Sequence, residues 1–382
     1  MPGPSKGREG LSRRSVILGA AATAGCATTR PRLAPRPARP GDSDVIDLNL
    51  VRFPGDLDRE GLMARMPADA RRRGAKILAL SSGAEDGAYG AGILNGWSAR
   101  GDRPRFDVVT GVSTGAFMAP FAFLGEAEDA TLRGIYTRYD VDDIAENRGL
   151  RGLLGEALFD TAPLAKLMER YLTTAVVDAV AREHAIGRRL FIVTTNLDQD
   201  KATIWDLGAL ASLEHPKRLE LFRAAILASG SVPGVFPPVL IEGLDGDRRV
   251  QELHTDGGTV MQFLAIPERV ILEGALAAET DRRPELFILI NNRLDGTATT
   301  VDTDAITVAE RSFSTLIRSN ARASLLSAVA FARENGGRLS FTAVGPDFDM
   351  PLSRRFDRDY MAALFDYGQQ RVLAGEAWKT AV

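Results

Sequence analysis

Short apolar runs of strand length alternate with stretches of helical periodicity from Lys76 onward. The run ILAL at 77–80 leads into glycine-rich chain, and LFILIN at 286–291 is a second run of this kind. Alternation of buried strands with helices indicates an α/β fold with a mostly parallel sheet covered on both faces. The pattern predicts strands at 77–80, 106–110, 190–195, 202–206, 248–253, 286–291 and 339–344, and helices at 88–100, 116–124, 217–229, 308–334 and 358–378.

The N-terminal residues follow neither periodicity. Basic residues that include Arg13 and Arg14 precede an uncharged run at 15–24, and the only cysteine of the chain, Cys26, comes just after it. A basic segment, a short apolar run and small residues are typical of an export signal, and the run is shorter than the ~20 apolar residues that span a bilayer. The paired arginines leave twin-arginine export open beside the general secretory route.

The residues directly before Cys26 read Thr23-Ala24-Gly25 and resemble a bacterial lipobox. The resemblance implies cleavage before Cys26 and attachment of a lipid to its sulfur, while the alternative is a stray thiol after a plain signal peptide. Residues 27–44 are rich in proline and arginine, which predicts an extended tether.

These features predict three regions and a location. We expect a signal peptide of the lipoprotein type at 1–25, a tether and N-terminal extension at 26–70, and one globular domain at 71–382 that includes the C-terminal helices. Such a protein would lie in the cell envelope, lipid-anchored to a bacterial membrane on its periplasmic side, or be exported.

Composition narrows the classes of partner. The 382 residues carry a formal net charge of −3 and are 45% apolar, which is ordinary for a globular protein. The charge balance does not indicate binding to nucleic acid. A single cysteine permits no intrachain disulfide, so the fold must be stable without one.

A Gly-x-Ser-x-Gly motif lies where a predicted strand meets a very apolar predicted helix. It reads Gly111-Val112-Ser113-Thr114-Gly115. This is the setting of a nucleophile elbow, in which a sharp turn exposes the serine hydroxyl at the N-terminus of the helix. The helix macrodipole there favours the negative charge that develops on attack. The alternative interpretation is a structural turn with a capping serine.

A glycine-rich stretch follows the first predicted strand and has the sequence SSGAEDGAYGAG at 81–92. Backbone N–H groups in such a loop can stabilise the oxyanion of a tetrahedral intermediate. Glycine-rich loops also hold phosphates, but this loop lacks the lysine of that pattern, and Glu85 and Asp86 would repel a phosphate. We therefore favour the oxyanion role over nucleotide binding.

Asp256 begins an Asp-Gly-Gly motif at the end of a predicted strand, where an aspartate could also serve only a turn. A serine nucleophile needs a base, and the usual base is histidine. His184 and His215 lie in polar sequence and are expected at the surface. His254 precedes Asp256 by two residues, on the same side of an extended strand, so a triad that uses His254 stays open.

Together these motifs resemble those of the patatin-like phospholipase family, in a form similar to its bacterial lipoprotein members. The family's elbow is matched at 111–115, its Asp-Gly-Gly at 256–258, and its A-S-x-x-x-P-x-x-F-P-P stretch at 228–238. The similarity covers about residues 76–270 and the C-terminal helices only loosely. It implies a three-layer α/β/α sandwich with a mostly parallel central sheet, and hydrolysis of acyl esters with no metal and no cofactor.

The resemblance also assigns roles to single residues. Ser113 would be the nucleophile, Asp256 would take its proton directly, and backbone N–H groups of Gly83 and Ala84 would form the oxyanion hole. The family loop reads Gly-Gly-Gly-x-x-Gly, often with arginine in the fifth place, where this chain has Asp86. Residues that support these motifs are Ser82, Gly87, Gly111, Gly115, Gly257 and Gly258.

Two of the family's loop glycines are replaced here, by Ser82 and Ala84. Backbone N–H groups keep their positions after such changes if φ stays negative. A positive φ at Ala84 would instead distort the hole and affect rate and substrate choice more than fold.

We therefore expect a lipid acyl hydrolase, similar to a phospholipase A or lysophospholipase, that cleaves carboxylic esters through an acyl-enzyme. Its partners would be a phospholipid or another acyl-ester substrate and a membrane surface, with no nucleic acid. Phe117, Phe121 and Phe123 could line an acyl channel, although core packing is the simpler interpretation of each. Two alternatives remain, a small-ester esterase on the same site and an envelope-anchored binding protein that has lost activity.

Overall fold

A computed structural model describes residues 32–66, 69–70, 74–147, 157–273, 283–296, 298 and 300–381. Cys26 and the predicted signal peptide lie outside the described residues. Within the described ranges, no helix is both long enough and apolar enough to cross a bilayer.

Most strands of the described chain belong to one large mixed sheet of eleven strands. The strands are β1 (Arg36–Pro37), β2 (Arg52–Pro54), β3 (Lys76–Leu80), β4 (Val108–Val112), β5 (Glu146–Asn147), β6 (Phe159–Asp160), β7 (Arg189–Asn196), β8 (Lys201–Asp206), β9 (Val239–Asp245), β10 (Arg248–Asp256), β11 (Glu285–Arg293), β12 (Arg338–Val344) and β13 (Lys379–Thr380). Strands β5 and β6 form a separate pair.

The centre of the large sheet is parallel, with the strand order β7-β4-β3-β11-β12. Antiparallel strands extend it at both ends, because β8 and β10 pair with β7 while β13 pairs with β12. Strand β10 meets β7 only over its last three residues, 254–256, so Asp256 lies near the carboxyl ends of the central strands.

The α-helices described by the structure lie between these strands. They are α1 (Arg59–Arg65), α2 (Gly87–Arg100), α3 (Thr114–Leu124), α4 (Asp129–Thr137), α5 (Val141–Ile144), α6 (Ala162–Tyr171), α7 (Thr174–Ala185), α8 (Leu207–Ala211), α9 (Arg218–Ser229), α10 (Glu268–Glu273), α11 (Ala305–Glu334) and α12 (Arg358–Leu373). Each predicted element occurs within three residues of its expected ends, except that the last helix ends five residues earlier than predicted.

Alternate side chains of the central strands enter different apolar clusters. Leu78 and Leu80 of β3 pack in the larger cluster with residues of α2, α3, α9 and α12, whereas Ala79 packs in a smaller cluster with residues of α11. Because successive side chains of a strand point to opposite faces, the two clusters lie on opposite sides of the sheet. The fold is therefore the three-layer α/β/α sandwich that was predicted, with a mostly parallel centre.

The N-terminal extension joins this body earlier than its sequence suggested. The pattern predicts an extended tether at 27–44, but β1 at Arg36–Pro37 pairs with β10. Asp42 is buried and accepts hydrogen bonds from Arg36 at 2.6 Å and from Arg249 at 2.7 Å. Ion pairs of Arg32 with Asp198 and of Asp42 with Arg249 therefore hold this segment on the body.

Candidate active site

A strand, a strained turn and a helix fix the position of Ser113. The residue lies between β4 and α3 with φ 56° and ψ −123°, a backbone conformation that is rare outside glycine. A β-carbon at Gly111 would lie 2.3 Å from the carbonyl oxygen of Gly115, and one at Gly115 would lie 2.4 Å from that of Leu80. The strand and the helix can therefore pack this closely only with glycine at both positions, as the elbow motif predicts.

Ser113 and Asp256 form a direct hydrogen bond. The Ser113 hydroxyl donates to Asp256 Oδ2 with an Oγ to Oδ2 distance of 2.5 Å. The other carboxyl oxygen, Oδ1, accepts from the N–H of Gly258 at 2.6 Å, which orients the carboxyl group. Both residues are only 4% exposed. The predicted nucleophile and the predicted base, 143 positions apart in sequence, are thus adjacent in the fold.

The surroundings of Asp256 change its acidity. Burial raises the pKa of this carboxyl from the ordinary value of 3.8 to about 7, although the hydrogen bonds from Ser113 and Gly258 favour the ionised form. A carboxylate with a pKa near neutrality is a stronger base than a solvated aspartate, and it is still ionised in a large fraction of molecules at pH 7. The pair can therefore exchange a proton without a histidine.

Ser229 positions Ser113. The sequence indicated this residue only as a member of the A-S-x-x-x-P-x-x-F-P-P stretch. Its hydroxyl oxygen accepts a hydrogen bond from the N–H of Ser113 at 3.0 Å and donates to the carbonyl oxygen of Val193 at 2.6 Å. Two residues later, the carbonyl oxygen of Ser231 accepts from the N–H of Asp256 at 3.0 Å. The 228–238 segment therefore holds both members of the pair.

The glycine-rich loop is tied to the segment that follows Asp256. The Ser82 hydroxyl donates to the side-chain oxygen of Gln262, and the Gln262 amide donates to the carbonyl oxygen of Gly258 at 2.6 Å. Serine at 82, where the family has glycine, thus supplies a bond that glycine could not. Gly83 approaches the backbone of β11, where an added β-carbon would lie 2.0 Å from the carbonyl oxygen of Asn291.

The remaining motif glycines also stand at close approaches. Added β-carbons would lie 2.2 Å from the hydroxyl of Thr114 at Gly87, 2.3 Å from the carbonyl oxygen of Val193 at Gly257, and 2.9 Å from Asp256 Oδ1 at Gly258. The residues predicted to support the motifs therefore keep the loop, the elbow and the aspartate segment in close contact.

Ala84 adopts the left-handed conformation, with φ 47°. An alanine would leave the loop undisturbed only at a negative φ, and this condition is not met. The chain therefore keeps an alanine in a conformation that favours glycine. Ala84 lines the same cavity as Ser113. The strain thus lies at the wall of the site, where backbone strain commonly accumulates.

Replacing Ala84 by glycine should raise the free energy of unfolding by about 0.5–1 kcal/mol, because the relief of left-handed strain exceeds the entropy that glycine adds to the unfolded chain. Denaturant unfolding of the purified domain measures this change. Ala88→Gly in α2 is the matched control and should destabilise the protein, since that residue is buried in a regular helix. Equal destabilisation by both changes would contradict the assignment of strain to Ala84.

An apolar cavity opens onto Ser113, with an empty volume of about 660 Å³. Of the three phenylalanines proposed for an acyl channel, Phe117 lines this cavity, while Phe121 and Phe123 are buried in the core. Other apolar side chains that line the cavity are Ile144, Leu164, Leu167, Phe236, Phe356 and Met361.

Size alone does not identify the site. A larger apolar cavity of about 1280 Å³ is lined by Phe53, Ile77 and Phe191 among others, and neither Ser113 nor Asp256 lines it. Among the described residues, no group of three or more His, Cys, Asp or Glu side chains could hold a metal ion.

Both ring nitrogens of His254 face groups other than Ser113. His254 is fully buried, with Nδ1 2.9 Å from Thr194 Oγ1 and Nε2 3.3 Å from Glu252 Oε2. Burial lowers the pKa of His254, which opposes a charged imidazole at this position. Since Asp256 already accepts the hydrogen bond of Ser113, the geometry favours the pair over a triad that uses His254.

The other two histidines, His184 and His215, are partly exposed. His184 is half-buried, with Nδ1 3.6 Å from Asp206 Oδ1, and burial lowers its pKa. His215 Nε2 lies 3.3 Å from the carbonyl oxygen of Ser43. Both are less solvated than their polar sequence suggested, and neither lines the cavity at Ser113.

Comparison with known proteins finds a family model that covers the region of the site. The family model described as patatin-like phospholipase matches residues 78–267, a range that includes Ser113 and Asp256. No curated protein matches the chain significantly. The crystal structure of VipD from Legionella pneumophila aligns with 80% of this chain and 68% of that chain, at 13% identity and a TM-score of 0.39. Residues 78–267 therefore form a patatin-like phospholipase domain.

Proposed function

We propose that the protein hydrolyses acyl esters of lipids, with Ser113 as the nucleophile and Asp256 as its general base. The observation that carries this proposal is the 2.5 Å hydrogen bond from Ser113 Oγ to Asp256 Oδ2, at the wall of an apolar cavity. The patatin-like phospholipase domain at residues 78–267 supports lipid acyl esters as the class of substrate.

The reaction needs two transfers of the acyl group. As Ser113 Oγ attacks the carbonyl carbon, its proton passes to Asp256, and the carbonyl oxygen becomes negative. The carbon–oxygen bond to the alcohol then breaks, and the leaving alcohol takes the proton from Asp256. In the second half, Asp256 removes a proton from water, which attacks the acyl-enzyme, and Ser113 recovers its proton from Asp256 as it leaves.

Two features support stabilisation of the negative oxygen. Helix α3 begins at Thr114, so its N-terminal dipole is directed at the site of attack. The backbone N–H groups of Gly83 and Ala84 would complete the oxyanion hole, since Ala84 lines the cavity at Ser113, and the positive φ of Ala84 should lower the rate rather than remove the hole.

The rate should depend on pH through Asp256. Its pKa of about 7 means that the base is protonated and inactive at lower pH, so kcat/KM should rise about tenfold per pH unit below this value and level off above it. A pH series of ester hydrolysis measures this profile. Ionisation of a carboxyl group has a much smaller enthalpy than ionisation of an imidazole, so the midpoint should hardly change with temperature. A midpoint that falls strongly on warming would assign the base to histidine instead.

The apolar lining favours long acyl chains over short ones, and we propose an activity similar to that of phospholipase A or lysophospholipase. The experiment measures the release of fatty acid from diacyl and monoacyl phospholipids. It also measures the hydrolysis of a series of 4-nitrophenyl esters with acyl chains of increasing length. Rising kcat/KM with chain length supports a lipid hydrolase. Activity confined to acetyl and butyryl esters would support the small-ester esterase, and no activity on any ester would support the inactive binding protein.

The N-terminal sequence supports a second proposal, about location. We propose that export and acylation of Cys26 anchor the enzyme to a bacterial membrane, on the periplasmic side, near its substrate. Intact mass measurement of the membrane-extracted protein should show cleavage before Cys26 and a lipid adduct, and Cys26→Ser should release the protein from the membrane. An unmodified mature N-terminus would contradict the anchor.

A further inference from the structure

Glu85 is a buried carboxyl group at the wall of the candidate active site that the mechanism does not use. The residue is 4% exposed and lines the same cavity as Ser113. Its Oε1 lies 3.4 Å from a guanidinium nitrogen of Arg355, while its Oε2 has no hydrogen-bond partner. A carboxyl oxygen kept away from water without a donor is unfavourable, so its retention at this wall points to a donor that arrives with a ligand.

The other polar side chains that line the described cavity already have partners. The Ser113 hydroxyl donates to Asp256, and the hydroxyl groups of Thr114 and Tyr136 lie 2.8 Å apart. The Tyr136 hydroxyl also donates to the carbonyl oxygen of Thr114 at 2.9 Å. Among the described lining side chains, Glu85 therefore offers the unmatched hydrogen-bond acceptor.

The charges around Glu85 determine which ligand group fits. Asp86 accepts a hydrogen bond from Tyr360 at 2.7 Å, and burial together with Glu85 raises the pKa of Asp86 to about 7. Burial also raises the pKa of Glu85, and Arg355 opposes this shift. Arg355 acts on both carboxyl groups, and Arg293 also acts on Asp86. A phosphate placed beside Oε2 would set further acceptor oxygens and negative charge against an acceptor, whereas a hydrogen-bond donor would satisfy Oε2.

We propose that Glu85 determines specificity: its free carboxyl oxygen binds a hydrogen-bond donor, a hydroxyl or an ammonium group, on the alcohol part of the substrate. Esters that place a phosphate at this point are disfavoured. This inference rests on the proposed ester hydrolysis at Ser113 and names the substrate class more narrowly. Hydroxyl-bearing monoacyl esters fit the site, and esters whose alcohol part has no donor do not.

Four octanoyl esters that differ only in the alcohol test this proposal. They are the esters of glycerol, of 2,3-dimethoxypropanol, of glycerol 3-phosphate with its free hydroxyl methylated, and of 4-(hydroxymethyl)piperidine, which carries an ammonium group at neutral pH. In the wild-type enzyme, kcat/KM should be about tenfold or more higher for an ester with a donor than for the dimethoxy ester, as expected for one hydrogen bond to a charged group. The phosphate ester should be the poorest substrate.

Two substitutions at Glu85 separate the possible donors. Glu85→Met keeps the length of the side chain and removes the acceptor, so the donor and dimethoxy esters should become equal. Glu85→Gln keeps an acceptor without charge, so a preference for a hydroxyl should partly survive and a preference for an ammonium group should be lost. Glu220→Gln, a control at an exposed position of α9, should leave the ratio of rates unchanged because Glu220 does not line the cavity.

The outcomes distinguish this proposal from the one on which it rests. Equal kcat/KM for all four esters in the wild type, or a ratio that Glu85→Met does not change, would overturn the role of Glu85 and leave the hydrolase proposal intact. The wild-type comparison decides the matter even if Glu85→Met fails to fold. No hydrolysis of any of the four esters would overturn both proposals.

Discussion

Replacing Ser113 by alanine should abolish ester hydrolysis, with a loss of roughly 10⁴-fold or more in kcat. The change removes the only atom that can form the acyl-enzyme, while the oxyanion donors and the cavity remain. The expected readout is fatty-acid release at the rate of the uncatalysed blank, from a protein whose circular dichroism and unfolding transition match those of the wild type.

The control for this variant is Ser327→Ala on the exposed face of α11, which removes a hydroxyl bonded only to the helix backbone. It should keep full activity. A folded Ser113→Ala variant that still hydrolyses esters at a substantial fraction of the wild-type rate would exclude this serine as the nucleophile.

Replacing Asp256 by asparagine should lower kcat by roughly 10³–10⁴-fold, because the amide cannot take the proton of Ser113. An asparagine oxygen can still accept from the N–H of Gly258, so the turn should be retained. The double variant with Ser113→Ala should be no less active than Ser113→Ala alone, since the two residues act as one unit. Additive losses would show that Asp256 acts independently of the serine.

The same substitution should raise stability by an amount that depends on pH. Folding raises the pKa of Asp256 from 3.8 to about 7, so its favourable contribution is present at low pH and is lost as the pH rises through 7. Asparagine removes the cost of burying the charge. The gain in unfolding free energy over wild type should therefore be larger at pH 8 than at pH 5, by on the order of 2 kcal/mol. Asp349→Asn, at an exposed position, should show no such trend.

The central sheet and its helices could be predicted because their periodicity is strong. Strand β3 is a continuous apolar run at 77–80, as expected for a strand buried on both faces, and its alternate side chains enter clusters on opposite sides of the sheet. Helices α4, α6 and α7 were not among the predicted helices because many polar residues separate their apolar ones, although each buries one face, with Leu132, Met168 and Val177 respectively. The packing of the N-terminal extension on the body was not predicted because it depends on ion pairs between distant residues, such as Asp42 with Arg249, which sequence proximity does not reveal.

The candidate site was only partly visible in the sequence. The elbow could be recognised locally, since a strand, a glycine-flanked serine and an apolar helix occur together at 108–124. The contact between Ser113 and Asp256 could not be derived from their spacing in the sequence. It was expected only because the motifs resemble those of the family. Ser229 and Gln262 contribute bonds across more than 100 positions, so no local pattern could identify them. The φ of Ala84 likewise depends on its tertiary surroundings.

Reaction with a fluorophosphonate probe tests the central claim most directly, because such a probe bonds covalently to an activated serine and stays attached. Intact mass spectrometry followed by peptide mapping should find one adduct per chain, on Ser113, formed far more slowly in the Asp256→Asn variant. An unchanged mass, or an adduct on another residue in an enzyme that still hydrolyses esters, would contradict the pairing of these two side chains as the catalytic centre.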